Sequence, residues 1–172
     1  MPSIYAARVV QLKIEYKAIG VIHSEFKEKK DTPIQGTFSD ARGTVELYPE
    51  YAPGLKDIDG FSHVILIYHF HKSEGSTLVQ KPFLDQNKER GIFAIRFYDR
   101  PNPIGLSIVE LKGVKGNVLE VGGIDVLDGT PLLDIKPYIR QFDCRENARS
   151  GWVDGAALTP GKKYTPGSLL EK

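Results

Sequence analysis

Cysteine is nearly absent from the sequence, and Cys144 alone cannot form a disulfide within the chain. A chain without internal disulfides is typical of a reducing compartment. Long apolar runs are also missing, since no segment approaches the roughly 20 residues that span a membrane. Polar residues, among them Arg8 and Lys13, interrupt the N-terminal region where a signal peptide would need an apolar core. We therefore expect a cytoplasmic protein without a membrane partner.

The sequence also lacks a charge excess of either sign. Lys and Arg number 23 and Asp and Glu number 22, which leaves a formal net charge of +1 at pH 7. This balance gives no overall signal for nucleic acid, although a local basic face would be enough to bind it. The basic residues in the predicted loops could form such a face, or they could be solvated side chains at the rim of the loops. These residues are Lys27, Lys29, Lys30, Lys81, Lys88, Arg90, Arg96 and Arg100.

Motifs that mark three large enzyme classes are missing as well. The sequence has no Gly-x-Gly-x-x-Gly after a predicted strand, no Gly-rich phosphate loop and no Ser or Cys elbow. These absences argue against dinucleotide-dependent dehydrogenases, P-loop NTPases and α/β-hydrolases.

Short β-strands separated by turn signals account for most of the chain, and helical periodicity is almost absent. The apolar patterns predict strands near residues 14–24, 43–48, 61–70, 91–95, 106–114 and 118–121. The run 64–67 is apolar at every position, which indicates a strand buried on both faces. Residues 115–117 predict a hairpin turn, and residues 72–90 a long loop with a helical turn at 83–88.

The predicted fold class is mainly β: a small barrel-like, strongly curved antiparallel sheet with long loops and few short helices. A length of 172 residues suits one domain. We expect this domain at residues 14–142, after an N-terminal extension at 1–13. A loosely packed C-terminal tail at 143–172 follows, with Trp152 as its predicted anchor.

The stretch 96–107, Arg-Phe-Tyr-Asp-Arg-Pro-Asn-Pro-Ile-Gly-Leu-Ser, suits neither a regular strand nor a helix. Pro101 and Pro103 fix φ at their own positions and favour extended conformations at the residues before them. A stiff loop between two predicted strands is the result, and it is either a rigid crossover or a preorganised binding site. Its polar residues are Arg96, Asp99, Arg100, Asn102 and Ser107.

Three aspartates, Asp125, Asp128 and Asp134, lie on one segment whose neighbours are apolar. Partly buried carboxylates need arginine, backbone N–H groups or a cationic ligand as partners. Asp128 precedes Gly-Thr-Pro, so it also fits a turn in which the side chain bonds its own backbone. The three carboxylates and the arginines of the stiff loop together predict a site.

Three histidines could ligate a metal, because His63, His69 and His71 would share one face of a regular strand. Histidines at strand ends are more often hydrogen-bonding partners, and no third ligand has a recognisable spacing to His69 and His71. We therefore expect no metal. A metal-dependent hydrolase that uses His69, His71 and an aspartate is the least favoured of three functional hypotheses.

Several blocks of sequence resemble a known family, the TrmO group, also called the TsaA-like or YaeB-like domain. The blocks are residues 19–24, 60–64, 70–71, 91–96, 100–107, 125–131 and 134–138, and the resemblance covers about 14–138. It implies a small β-barrel instead of a Rossmann fold, a homodimer, and S-adenosylmethionine as cofactor. The implied reaction is methyl transfer to N6 of threonylcarbamoyladenosine beside the tRNA anticodon.

The resemblance also implies the residues of the site. The implied cofactor contacts are Pro33, Ile34, Gln35, His71, Lys72, Arg96, Leu106, Asp125, Val126, Leu127 and Asp128. Asp125 or Asp128 could accept the proton of the target nitrogen or face the sulfonium cation. For the catalytic centre we predict Asp128, Asn102 and Arg100, the last as a bidentate partner of the threonyl carboxylate.

The chain departs from the family pattern at Ile34, Gly36 and residues 97–99. After the domain we expect only the short tail, where bacterial members carry a C-terminal domain. The alternative function is a non-catalytic module that binds S-adenosylmethionine or RNA and regulates. It would keep the Arg96 and 125–128 pocket but would bind the cofactor without turnover.

Overall fold

The computed structural model describes residues 12–159 and 162–170, so most of the predicted N-terminal extension lies outside the described residues. The strands are β1 (Gly20–His23), β2 (Arg42–Leu47), β3 (His63–His69), β4 (Val79–Gln80), β5 (Arg90–Gly91), β6 (Ile104–Lys115), β7 (Val118–Gly122) and β8 (Thr130–Pro137). The α-helices are α1 (Arg140–Asp143) and α2 (Pro166–Leu170), and the 3₁₀ turns are Lys29–Asp31, Gly36–Phe38, Pro49–Leu55, Ile58–Gly60, Ile92–Ala94 and Gly151–Gly155. In this part of the chain no helix has the length and apolar character needed to cross a membrane.

Six strands close into a barrel in the order β1-β2-β7-β6-β3-β8, and every neighbouring pair is antiparallel. The predicted mainly β class with an antiparallel barrel and few short helices is confirmed. Strands β4 and β5 form a separate two-stranded sheet. Because the barrel is closed, its strands have hydrogen-bonded neighbours on both sides.

Strand β3 shows how the barrel interior is filled. Val64, Leu66 and Tyr68 are buried, whereas Ile65 and Ile67 between them are only partly buried on the outer face. The prediction that this strand is buried on both faces is wrong, because alternate side chains of a barrel strand point inward and outward. Fully buried residues from the other strands complete the core, among them Ile22, Val45, Val109, Leu119, Val121 and Leu132.

Close packing between β3 and β6 depends on Gly105. Tyr68 pairs with Gly105 across the two strands. The Tyr68 ring occupies the space beside this glycine, since a Cβ added at position 105 would lie 2.1 Å from the ring. Position 105 therefore accepts no side chain without displacing Tyr68.

The predicted strands that became β2, β6 and β7 are confirmed, as is the hairpin turn, in which Gly116 has φ +62°. Two strand predictions are wrong. The first strand is limited to Gly20–His23, and residues 92–94 form a 3₁₀ turn. Ile92 and Ile95 are buried while the two residues between them are exposed, so the apolar run follows a three-residue spacing. Residues 83–88 form turns instead of the predicted helical turn.

The tail packs more closely than its composition suggests. Tyr164 is only 5% exposed, and the Trp152 Nε1–H donates to the Ala94 carbonyl oxygen at 2.8 Å. Trp152 also packs on a second apolar cluster that is separate from the barrel core and contains Ile92, Ile95, Phe97, Phe83 and Tyr98. The prediction of Trp152 as an anchor agrees with this packing.

Candidate functional site

Two cavities meet beside the barrel, between the loops that follow β1 and β5. The smaller has a volume of about 100 Å³ and is lined by residues of the loop at 29–34, the turn at 70–73 and the segment 125–127. The wider cleft has a volume of about 1170 Å³ and extends along the outer face of β6. The residues that line both are Ile34, Phe83, Arg96 and Asp125.

Asp125 is the acidic residue at this junction. Its carboxylate accepts a hydrogen bond from the Ser107 hydroxyl of β6. The buried Ser107 Oγ lies 2.9 Å from the Tyr68 hydroxyl oxygen. A chain of hydrogen bonds thus runs from Tyr68 in the barrel interior through Ser107 to the carboxylate, and it fixes the orientation of Asp125.

The electrostatic surroundings of Asp125 favour proton acceptance near neutral pH. Burial raises the pKa of Asp125 to about 6, although the Ser107 hydrogen bond, backbone N–H groups and Arg96 act in the opposite direction. Burial and the neighbouring Asp125 raise the pKa of Tyr68, so its hydroxyl keeps its proton. A half-buried carboxylate with a pKa near the working pH is suited to general base catalysis.

Arg96 connects the two loops that flank the junction. Its Nη1 donates to Gln35 Oε1 at 2.6 Å, and Gln35 lines the wider cleft. Arg100 faces a different way, because its guanidinium donates to the carbonyl oxygens of Ile95 and Phe97, each at 3.4 Å. The two arginines therefore have separate partners, and Arg100 lines neither cavity.

Most of the predicted cofactor contacts line the smaller cavity, namely Pro33, Ile34, His71, Lys72, Arg96, Asp125, Val126 and Leu127. Gln35 and Leu106 line the wider cleft. Asn102 is exposed and lines neither cavity.

Asp128 and Asp134 lie apart from Asp125. The Asp128 carboxylate accepts hydrogen bonds from Lys27 Nζ at 2.5 Å and from the Ser24 N–H at 3.1 Å. The Lys27 hydrogen bond lowers the pKa of Asp128. Asp134 forms an ion pair with Lys136 on β8 at 2.7 Å. The three carboxylates that were expected to form one site thus have separate partners, and of the three only Asp125 lines these two cavities.

The histidines do not share one face. His63 and His69 are the first and last residues of β3, but His71 lies beyond the strand, with Nδ1 3.3 Å from Thr130 Oγ1. Burial lowers the pKa of His71 most, and the nearby charges of Lys72 and His69 lower it further. Within residues 12–159 and 162–170, no group of three or more His, Cys, Asp or Glu side chains could hold a metal ion.

Residues that the sequence did not indicate also contribute to the site. Tyr98 lines the smaller cavity with Lys29 Nζ 4.7 Å above its ring, and Phe70 stands edge-on to Tyr98 at 6.4 Å. Pro166 from the tail lines the same cavity, and Arg42 lines the wider cleft. No local pattern marks these residues, because distant segments bring them together.

Comparison with protein families gives one model that matches most of the chain. The model described as the tRNA-methyltransferase O N-terminal domain matches residues 21–144. A Pyrococcus abyssi protein named a probable S-adenosyl-L-methionine-binding protein is 54% identical over 147 residues, which are 85% of this chain and 79% of that protein.

Bacterial relatives are longer than this chain. An Escherichia coli protein named tRNA (adenine(37)-N6)-methyltransferase is 38% identical over 152 residues, which are 83% of this chain and 65% of that protein. The crystal structure of TrmO from Pseudomonas aeruginosa matches with a TM-score of 0.69 and 38% identity, over 82% of this chain and 63% of that one.

Proposed function

We infer that this chain, which belongs to the tRNA-methyltransferase O family, is an S-adenosylmethionine-dependent methyltransferase that acts on N6 of an adenine in tRNA. The position of Asp125 carries the proposal, since its carboxylate lies where the two cavities meet. A methyl donor and an acceptor nitrogen must approach each other at one point, and a proton acceptor is needed there.

The lining of the smaller cavity is suited to S-adenosylmethionine. Tyr98, Phe70 and the buried Pro33 offer aromatic and apolar surfaces for an adenine ring. Lys29 and Lys72 can bind the carboxylate of the methionine part, and Asp125 can face the cation or the ribose hydroxyls. The bound cofactor would supply an electrophilic methyl group on a sulfonium sulfur.

Asp125 would accept the proton that the target nitrogen must lose. The lone pair of this nitrogen is delocalised into the purine ring, so the neutral nitrogen is a poor nucleophile. Proton transfer to the Asp125 carboxylate would free an electron pair on the target nitrogen for its bond to the methyl carbon, and the cofactor sulfur would keep the pair of the broken carbon–sulfur bond. Ser107 and Tyr68 hold the carboxylate in place during this transfer.

The finer substrate in this proposal is threonylcarbamoyladenosine next to the anticodon. Its threonyl carboxylate needs a cationic partner, and Arg42, Arg96 and Lys112 all line the wider cleft. Arg96 or Arg42 fits this role better than the predicted Arg100, whose guanidinium is bound to its own loop. Asp125 likewise fits the role of proton acceptor better than the predicted Asp128.

A homodimer is part of the proposal. Ile104, Leu106 and Ile108 on the outer face of β6 are 40%, 45% and 46% exposed. Phe93, which lines the wider cleft together with Leu106 and Ile108, is 79% exposed. Contiguous exposed apolar side chains are typical of a surface that a partner covers. A second copy on this face would also close the side of the wider cleft that Leu106 and Ile108 line.

A methylation assay tests the proposed function directly. Purified protein with S-adenosylmethionine carrying a labelled methyl group should place label on N6 of the adenine next to the anticodon of tRNA. Transfer should depend on the threonylcarbamoyl group, so tRNA with an unmodified adenine at that position is the matched control. Mass analysis of the nucleosides provides the readout, and label on neither tRNA would contradict the proposal.

The second candidate function, cofactor binding without turnover, is favoured by one observation. The Pyrococcus abyssi relative at 54% identity is named only as a probable binding protein. Calorimetric titration with S-adenosylmethionine separates the two functions when it is run beside the assay. Binding without methylation of either tRNA would support the module, whereas binding with methylation supports the enzyme.

The rate of methyl transfer should rise with pH. Asp125 accepts a proton only in its ionised form, and its pKa is raised to about 6. The single-turnover rate should therefore fall as the pH drops through about 6 and level off above about 7. Ser107→Ala removes a donor that lowers this pKa, so its midpoint should lie at higher pH than that of the native protein. An unchanged midpoint would exclude Asp125 as the titrating base.

A further inference from the structure

We propose that the C-terminal segment braces the cofactor cavity, with Trp152 and Tyr164 as its positioning residues. The brace consists of residues 151–159 and 162–167. The family model ends at residue 144, so the brace lies beyond the part of the chain that this model matches. Only the identity of the ligand in this proposal rests on the proposed function.

One end of the brace holds the loop that carries Pro33, Ile34 and Gln35. The backbone N–H of Ile34 donates to the Tyr164 carbonyl oxygen at 2.9 Å. The Tyr164 ring meets the Phe38 ring edge-on at 4.9 Å. Pro166, two residues further on, itself lines the smaller cavity beside Pro33 and Ile34. Tyr164 thereby fixes one wall of the cavity by a backbone bond and a ring contact.

Tyr164 is held within the brace as well. Its hydroxyl oxygen accepts the Thr159 N–H at 2.9 Å and lies 3.5 Å from the Ala157 carbonyl oxygen. Lys163 forms an ion pair at 2.7 Å with Asp40, which follows the loop that carries Pro33, Ile34 and Gln35. The ring is 5% exposed, so its position is determined by packing on all sides.

The other end of the brace supports the opposite wall. The Trp152 Nε1–H donates to the Ala94 carbonyl oxygen at 2.8 Å, and the Arg90 guanidinium lies 4.7 Å from the indole centre. Trp152 packs on the cluster that includes Phe83 and Tyr98, and both of these line the smaller cavity. The indole therefore acts on the cavity through the residues that line it.

Across the cavity the two walls also touch through exposed contacts, the Arg96–Gln35 hydrogen bond and Lys29 above Tyr98. Exposed contacts of this kind contribute little net stabilisation, because water competes for the same groups. The brace adds aromatic packing at both walls, from the buried Tyr164 at one and the partly buried Trp152 at the other. A cavity whose walls are held before binding loses less free energy to ordering when the ligand enters.

The test compares Trp152→Ala and Tyr164→Ala with Phe142→Ala in the full-length protein. Phe142 is 65% exposed and lines neither cavity, so it is a matched aromatic control. Both brace variants should weaken S-adenosylmethionine binding about tenfold or more in calorimetry, and Phe142→Ala should not. Tyr164→Phe keeps the ring and the backbone bond and should restore near-native affinity, which a general loss of stability would not predict.

Hydrogen exchange supplies a readout that needs no ligand. Tyr164→Ala should increase the exchange rate of the Ile34 amide about tenfold or more while amides of β3 stay protected. If the Ala variant does not fold, Trp152→Phe serves instead. This variant keeps an aromatic ring next to the Arg90 guanidinium but loses the N–H that donates to the Ala94 carbonyl oxygen. It should therefore raise amide hydrogen exchange at residues 92–97 only.

The two proposals fail in different ways. If the native protein does not bind S-adenosylmethionine, the proposed function is wrong, and exchange at Ile34 still decides the brace. The proposed brace is wrong, whatever the reaction, if folded Tyr164→Ala and Trp152→Ala bind the cofactor with native affinity. It is also wrong if Tyr164→Ala leaves hydrogen exchange at the Ile34 amide unchanged.

Discussion

Asp125→Asn should lower the rate of methyl transfer to N6 by about 10²–10⁴-fold, the range expected for loss of a general base. The asparagine oxygen can still accept the Ser107 hydrogen bond, so the geometry of the site is preserved. What the variant loses is the ability to take up a proton where the two cavities meet. Single-turnover transfer from labelled S-adenosylmethionine to modified tRNA measures the change.

Asp134→Asn is the matched control for this prediction. Asp134 lies on β8 and pairs with Lys136 at 2.7 Å, away from both cavities. It should keep a native rate. A rate for Asp125→Asn within about threefold of the native one would assign the base to another group, since general base catalysis contributes far more.

Stability should change in the opposite direction to activity. The raised pKa of Asp125 means that ionisation is disfavoured in the folded state, so this group costs stability as the pH rises from about 4 to 6. Above this pH range, a pKa shift from 3.8 to about 6 lowers the free energy of unfolding by roughly 3 kcal/mol at most. Asp125→Asn should therefore unfold at the same or a higher temperature at pH 7, and the difference should shrink near pH 4.

Gly105→Ala should destabilise the barrel by about 3 kcal/mol or more, the upper end of overpacking costs. The added Cβ would lie 2.1 Å from the Tyr68 ring, so the ring must move. Its hydroxyl would then leave Ser107, which lies 2.9 Å away in the native protein. We expect the melting temperature to fall by about 10 °C and the pH midpoint of activity to change.

Gly113→Ala provides the control on the same strand. A Cβ at position 113 would have the Glu120 carboxylate at 3.6 Å as its nearest neighbour, an ordinary contact. Its effect on unfolding free energy should stay within about 0.5 kcal/mol. Equal melting temperatures for the two variants would show that Tyr68 can repack without cost.

The stretch 96–107 shows what local sequence can and cannot predict. Residues 96–103, which contain both prolines, are irregular as predicted, but residues 104–107 belong to strand β6. Arg96 and Ser107, at the two ends of the stretch, both line the wider cleft. The strand expected before it is a 3₁₀ turn, because Ile92 and Ile95 are buried at a spacing of three. A five-residue apolar run is compatible with either spacing, and the second cluster that decides between them is assembled from distant residues.

The three aspartates illustrate a different limit. All three aspartates follow β7 in the sequence, yet Asp125 is the only one of the three that lines the two cavities. Asp128 instead binds Lys27 and the Ser24 N–H, residues about a hundred positions earlier in the chain. Which carboxylate faces inward depends on the path of the chain from β7 to β8, and local composition does not contain that path.

The link from Tyr68 to Ser107 depends on register. The pairing of Leu66 with Ser107 and of Tyr68 with Gly105 places the phenol beside the serine. A shift of the pairing by one residue would turn Ser107 away from the carboxylate. Register is set by the closure of the whole barrel, so the hydrogen-bond chain could not be read from either strand alone.

The closed barrel separates the parts of this protein that can change from those that cannot. All six barrel strands have partners on both sides, so no new strand can be added to enlarge the frame. Both cavities, in contrast, are walled largely by loops and by the brace. Loops tolerate insertion and substitution far better than paired strands. During evolution, a change in the molecule that accepts the methyl group should therefore arise by replacement of loops. Ser107 and Tyr68, which lie on barrel strands, should stay the same.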